Sequence, residues 1–220
     1  MKLNLSSNVF QNNKALNGGG LFLKDDLLEY SFDNTYSENN MIIVENNNFT
    51  ENIAINEGGA IYLDYSKFYL AQPKNNKIAF NKAGIMGGGI YSLYSDDKKN
   101  IFSEENFNMI NNTVESNISN IESKPSYIAL DSNKYFYNIT SGEYIPLTFT
   151  MYDQFNNTLK DYSEYYSSIT LKVKLQKEKE ENNNFDYDYD TLKENIDYKL
   201  SGNIGSFING DIKIIIFLFI

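Results

Sequence analysis

Apolar residues along this chain come in short bursts set between runs of Asn, Gly, Ser and charged residues, and no stretch keeps helical spacing over three turns. Short strands joined by tight turns are therefore predicted throughout. Three of the bursts, Leu21-Phe22-Leu23, Ile61-Tyr62-Leu63 and Ile90-Tyr91, follow closely on paired glycines. Aligned on a preceding alanine, FQNNKALNGGGLFL, FTENIAINEGGAIY and IAFNKAGIMGGGIY become three copies of one pattern. An apolar residue (Phe10, Phe49, Ile78) is followed three positions later by asparagine (Asn13, Asn52, Asn81). Alanine comes two later (Ala15, Ala54, Ala83), and then the glycine pairs Gly19-Gly20, Gly58-Gly59 and Gly87-Gly88. The copies lie 39 and 29 residues apart, a spacing that suits stacked repeats. A decayed fourth copy is read at MINNTV, where Met109, Asn112 and Val114 hold the register without the glycines.

Spacings of this size are too long for one hairpin and suit one rung of a solenoid with three strands and a variable loop. Equivalent residues of successive rungs then stack at the inter-strand distance of about 4.8 Å. Asn13, Asn52 and Asn81 are expected to form a ladder of side-chain amides that satisfies groups left unpaired at a bend. The alanines fit a narrow part of the interior. The glycines supply positive φ and close backbone approach at a corner, and the Ile, Phe and Tyr residues after them enter the next strand.

Near ESKPSYIAL the repeat stops and a proline appears. Two later segments alternate with period two. YIPLTFTMYD sets Leu147, Phe149 and Met151 against Thr148, Thr150 and Tyr152. SSITLKVKLQ sets Ile169, Leu171, Val173 and Leu175 against Thr170, Lys172 and Lys174. Such alternation predicts antiparallel strands with one polar face, as in a β-sandwich. The expected organisation is thus all-β: parallel β-helix repeats over 1–120 in three to four rungs, then a β-sandwich over 121–220. A charged, low-complexity insertion at 176–195, expected to be disordered, interrupts the second unit. Within it Asp186, Asp188 and Asp190 alternate, but an EF-hand loop needs glycine where Thr191 stands, so a solvated linker is the preferred reading over calcium.

The repeat resembles that of the chlamydial polymorphic outer membrane proteins and related right-handed parallel β-helix (pectin-lyase-like) surface proteins. FTEN…GGAI at Phe49 matches in full, while FQNN…GGGL and IAFN…GGGI are close variants. SGEYIPLTFTMYDQFNN looks like the strand and turn of immunoglobulin-like modules that follow β-helices in surface proteins; their sandwich would be incomplete here. The resemblance implies a secreted or surface-displayed adhesin or structural stalk, with glycans or cell-surface proteins as partners, and it brings no catalytic residues.

Composition narrows the classes. The formal charge is −10 and all 19 basic residues are lysine, which disfavours nucleic acid and anionic lipid as partners. Histidine and cysteine are absent, which removes imidazole and thiolate chemistry, and no cofactor is expected. The main alternative is a carbohydrate-active enzyme, a polysaccharide lyase or glycosidase, of the pectin-lyase-like fold. Against it, Glu45, Glu51, Glu57 and Asp64 are scattered and do not recur, and Asp96-Asp97 with Lys98-Lys99 reads as a solvated turn. Sequons at Asn4, Asn48, Asn111, Asn117, Asn138 and Asn156 are near what so much Asn, Ser and Thr gives by chance. Tyrosine clusters, YSLYS and YSEYYSS, could stack on sugar rings, although strand preference explains most of them.

At the N-terminus no basic-then-apolar leader precedes the first repeat. IKIIIFLFI at the C-terminus is far shorter than the roughly twenty residues of a membrane span; Asn209-Gly210 before it favours a hairpin and strand. The expectation is a fragment of a longer extracellular protein, with membrane association only through an anchor outside this segment or at its C-terminus.

Overall fold

The computed structural model describes residues 2–25, 41–94, 101–131, 140–160, 164, 166–174 and 199–219. The insertion at 176–195 with Asp186, Asp188 and Asp190 lies outside them. So do Leu175, the Asp96-Asp97-Lys98-Lys99 cluster, Asn138 and residues 26–40 of the first long loop.

The protein is all-β, and its first half is built from parallel sheets. The chain runs through four short strands, β1 (Lys2–Ser6), β2 (Val9–Gln11), β3 (Lys14–Ala15) and β4 (Leu21–Lys24), which form one coil. It then retraces the same four faces as β5 (Met41–Glu45), β6 (Asn48–Thr50), β7 (Ile53–Ala54) and β8 (Ile61–Asp64). A third coil follows in β9 (Ala71–Lys74), β10 (Asn76–Ala79), β11 (Lys82–Ala83) and β12 (Ile90–Ser92). Each strand pairs in parallel with its counterpart one coil away. A coil therefore has four strand segments rather than the three expected, because the two-residue stretch at each alanine is long enough to pair and turn again.

A fourth, shorter passage consists of β13 (Phe107–Ile110), β14 (Thr113–Val114) and β16 (Ile121–Glu122). Met109 pairs with Ile78 and Val114 with Ala83. Parallel growth stops here, because β15 (Asn117–Ile118) folds back antiparallel on β14.

Strand alternation turns one set of side chains inward. Ile42, Val44, Phe49, Ile61, Leu63, Ile78, Ile90 and Phe107 fill the interior and are almost completely buried. Phe10 and Phe49 stack there with ring centroids 4.6 Å apart. Ala54, Ala83 and Val114 form a separate small cluster on the third face.

Beyond Glu122 the pairing becomes antiparallel. Strands β17 (Pro125–Leu130), β18 (Tyr144–Asp153), β20 (Lys199–Ser201) and β22 (Asp211–Phe219) form a sheet in the order β17-β18-β22-β20. Strands β19 (Thr170–Lys172) and β21 (Ile204–Ser206) form a two-stranded antiparallel sheet. Asn209 and Gly210, with φ of 52° and 85°, make the tight turn before β22, so the apolar C-terminal run is a strand. Ile212, Ile214 and Ile216 of β22 pack with Met151, Phe207 and Leu159. Tyr91 and Met86 of the third coil belong to the same cluster, so the antiparallel half covers part of the outer face of β12. Among the described residues, no helix is long and apolar enough to cross a membrane.

Candidate functional site

The repeated asparagines sit at the bends flanking the second face, and the repeated glycines at the corner between the third and fourth. Asn13 donates its backbone N–H and its side-chain amide to Oδ1 of Asn52, at 3.1 and 2.9 Å. Asn52 does the same to Asn81 at 2.9 and 3.0 Å, and Asn81 to Asn112 at 3.1 and 2.8 Å. Each amide also reaches back one coil. Asn52 Nδ2 donates to the Phe10 carbonyl, Asn81 Nδ2 to Phe49 and Asn112 Nδ2 to Ile78. Asn52, Asn81 and Asn112 are fully buried, and the ladder supplies the partners that burial demands.

A second ladder, not anticipated from the sequence, runs five residues earlier. Asn8 donates twice to Oδ1 of Asn47, and Asn47 twice to Oδ1 of Asn76. Asn47 Nδ2 returns a bond to Leu5 and Asn76 Nδ2 to Val44. Its signal was present, since these asparagines keep the same 39- and 29-residue spacings, but they sit among other asparagines.

Each ladder asparagine follows a residue with left-handed backbone: Ser7, Asn46 and Asn75 before one ladder, and Asn12, Glu51, Phe80 and Asn111 before the other, with φ between 48° and 59°. One left-handed residue turns the strand out of its face. The next side chain then occupies the hydrogen-bonding groups that the turn exposes.

The glycine corner departs from the expected register by one residue. Gly18, Gly58 and Gly87 are the left-handed glycines, and Gly18 N–H donates to Glu57 O as Gly58 N–H donates to Met86 O. Gly18 thus stacks on Gly58, and Gly19 on Gly59, because the first copy is one residue shorter between alanine and corner. Gly19, Gly20, Gly59 and Gly88 serve the close approach of neighbouring coils instead. A Cβ on Gly59 would run into the Gly88 carbonyl and lie 2.7 Å from the backbone of Lys82.

Outward side chains are aligned by the same stacking. On the fourth face Phe22, Tyr62 and Tyr91 form a row with centroids 4.9 and 5.4 Å apart, from half-exposed Phe22 to Tyr91 buried beneath the antiparallel half. Burial, with the negative charges of Glu57 and Asp64, pushes the Tyr62 phenol up to about 12. Burial likewise raises Glu57, and it raises Glu122 although Gly87 N–H and Ser119 bind that carboxylate. Lys24 lies 3.9 Å from Asp64 at an exposed edge.

Open grooves lie elsewhere among the described residues. One, of about 590 Å³, follows the outer side of the first face and is lined by Ile43, Glu45, Gln72, Lys74, Glu105 and Asn106. Its carboxylates, amides and single ammonium suit a polyhydroxylated ligand. The other, of about 420 Å³, adjoins Asp131, Thr150, Lys160 and Asp211. Thr150 Oγ1 lies 2.7 Å from Oδ2 of Asp131 and 2.7 Å from Oδ1 of Asp211, so these oxygens are no more than about 5.4 Å apart. That separation is compatible with a pair of catalytic carboxylates. The sequence had not singled out this pair, because the two residues meet only through the pairing of β18 with β17 and β22. Among the described residues there is no cluster of three acidic side chains that could hold a metal.

Of the sequon asparagines, Asn4, Asn111, Asn117 and Asn156 are exposed. Asn48 is half-buried, with Oδ1 unpartnered. From the tyrosine clusters, Tyr91 is buried and Tyr94 exposed, and the Tyr166 hydroxyl donates to Met86 Sδ at 3.4 Å. Comparison of the chain with known protein families, curated proteins and solved structures finds no match.

Proposed function

We propose that this chain is a non-enzymatic adhesin or structural repeat segment of an extracellular or cell-surface protein. On this reading the coils are a right-handed parallel β-helix of the pectin-lyase-like kind, with polymorphic outer membrane protein-type repeats. The antiparallel half is an immunoglobulin-like sandwich, and the ligands are glycans or cell-surface proteins. The observation that carries the reading is the investment of the buried polar side chains. Asn52, Asn81, Asn112, Asn47 and Asn76 all hold one coil on the next, and what they hold rigid is a set of outward rows and a polar groove. A stiff solenoid surface of this kind suits extended recognition.

A carbohydrate-active enzyme is the alternative, and the convergence of Asp131 and Asp211 on Thr150 beside a groove is what favours it. One experiment separates the two. The chain is incubated with a panel of immobilised glycans and with soluble acidic and neutral polysaccharides, and both retention and product release are followed. Retention without new reducing ends or unsaturated products is the expected result. Product release that disappears in Asp211→Asn would replace the adhesin reading with the enzyme.

A further inference from the structure

The two ends of the coil stack are chemically unlike. At the end formed by the fourth passage, the ladder is closed: Asn112 Nδ2, already bonded to Ile78 O, also donates to Oδ1 of Asn120 at 3.0 Å. Ser119 N–H donates to the Asn112 carbonyl, and Ser119 Oγ accepts from Gly88 N–H. Strand β15 covers β14 in antiparallel fashion. Over the core, Phe102 packs on Phe107 and meets Phe155 of the antiparallel half edge-on at 5.6 Å.

The first coil has no such closure among the described residues. Leu3, Phe10, Leu21 and Leu23 are only partly buried, whereas their counterparts one coil on, Ile42, Phe49, Ile61 and Leu63, are 0–2 % exposed. The ladders also have a direction. Each asparagine-to-asparagine step sends two N–H bonds from one coil to an Oδ1 of the next, and one Nδ2–H back to a carbonyl; at the fourth passage Asn76 donates instead to the Asn106 carbonyl. By that rule the first coil presents the Oδ1 of Asn8 and Asn13 as acceptors and a further amide proton of each as donor. Among the described residues nothing donates to either oxygen.

We propose that the open edge of the first coil docks one further parallel polypeptide coil from outside these 220 residues. Its two bends carry asparagines five positions apart. The occupant follows from the two-ladder contact already made twice, between the first and second coils and between the second and third. It must bury the apolar ends of Leu3, Phe10, Leu21 and Leu23. It must also donate a backbone N–H and an amide to each of Asn8 and Asn13, and accept their amides at the carbonyl three residues before each of its own asparagines. Edge pairing of an added strand is a general recognition mode. Here the two asparagines fix register and direction, since the paired N–H bonds to an Oδ1 are made between strands that run parallel, with each asparagine directly after its bend. The inference is independent of what binds the outer faces.

The probe is a fluorescent synthetic peptide of residues 41–56, MIIVENNNFTENIAIN, which carries Asn47 and Asn52 at the required spacing. It is titrated against the intact chain. Saturable binding is expected, with slowed amide exchange confined to β1–β3, whose counterparts β5–β7 the peptide carries. The peptide with Asn47→Ala and Asn52→Ala is expected to bind at least tenfold more weakly. Because the changes are in the peptide, failure of the protein to fold cannot produce the loss. Absence of saturable binding, equal affinity for the substituted peptide, or protection falling on the exposed edge of β17 instead would each overturn the proposal.

Discussion

Asn52 donates both its backbone N–H and its side-chain amide to one oxygen, Oδ1 of Asn81, at 2.9 and 3.0 Å. The same Asn52 receives two donors from Asn13 and returns a bond to Phe10 O. One side chain thus ties three coils, and it does so without exposure to solvent.

Replacing Asn52 by alanine keeps its backbone N–H on Asn81 Oδ1 but removes the side-chain donor to that buried oxygen and to Phe10 O, and leaves the backbone and side-chain amides of Asn13 without their shared acceptor. Asn52→Ala is expected to cost about 3 kcal/mol, since each orphaned buried group costs about 1–3 kcal/mol. Exposed Asn75 turns the chain with φ of 53°, a conformation glycine adopts freely. Asn75→Gly should therefore change stability by less than about 0.5 kcal/mol. Urea unfolding of both variants measures the contrast; equal effects would mean that the ladder does not hold the stack.

The close approach at Gly59 predicts a second contrast. A Cβ there meets main chain on the neighbouring coil, and main chain cannot move aside without disturbing a strand pair. Gly59→Ala should destabilise by at least about 3 kcal/mol. Gly142→Ala meets nothing within 4 Å and suffers only from its φ of 87°, a cost of about 1–2 kcal/mol. Thermal unfolding of the two variants would rank them, and the reverse order would mean that the coils can separate locally to admit a methyl group.

How far the sequence could be read follows from where each contact obtains its specificity. The parallel coil was legible because stacking makes equivalent residues neighbours, so Phe10, Phe49, Ile78 and Met109 advertise their contacts by period. The ladder of Asn8, Asn47 and Asn76 has the same period, yet asparagines at 46, 48 and 75 beside it hide the register. The glycine corner misled by one position because alignment on Ala15 ignores a residue missing before Gly18. Nothing periodic links Tyr91 and Met86 to Ile214, or Asp131 to Asp211. Those contacts arise from antiparallel pairing and from packing between the two halves, where side chains meet once and leave no repeated signal.

Acidification should stabilise the fold over a defined range. Burial raises Glu57, Glu122 and Asp153 above ordinary carboxylate values. In Asp153 it outweighs bonds from Asn157, Ser123 and Phe155. The folded chain therefore binds these protons at higher pH than the unfolded chain, so stability falls as pH rises through this range. Read downward from neutrality, the gain begins at the raised values and is complete below the ordinary ones, 4.5 for Glu and 3.8 for Asp. Glu143, lowered by its bonds from Thr140, runs the other way at an exposed site. Scanning calorimetry from pH 7 down to the ordinary carboxylate range is expected to show a rising Tm, with a shallower rise in Glu122→Gln. A Tm that falls over this interval would mean that burial does not dominate the titration of these carboxylates.

Phe80 stands where its counterparts are Asn12, Glu51 and Asn111, in left-handed backbone with φ of 59° and half its surface exposed. A bulky side chain tolerates that conformation poorly, at about 1 kcal/mol or more, whereas asparagine adopts it more readily. Its backbone N–H donates to Ile110 O at 2.9 Å, a bond that any residue but proline would keep. Phe80→Asn is therefore expected to stabilise the chain by about 0.5–1 kcal/mol, while Phe80→Val, stiffer at its β-carbon, should destabilise it. Urea midpoints at constant slope would read both changes. If Phe80→Asn is destabilising instead, the ring contributes packing against the outer wall that outweighs its backbone strain, and the bend is held by the ladder alone.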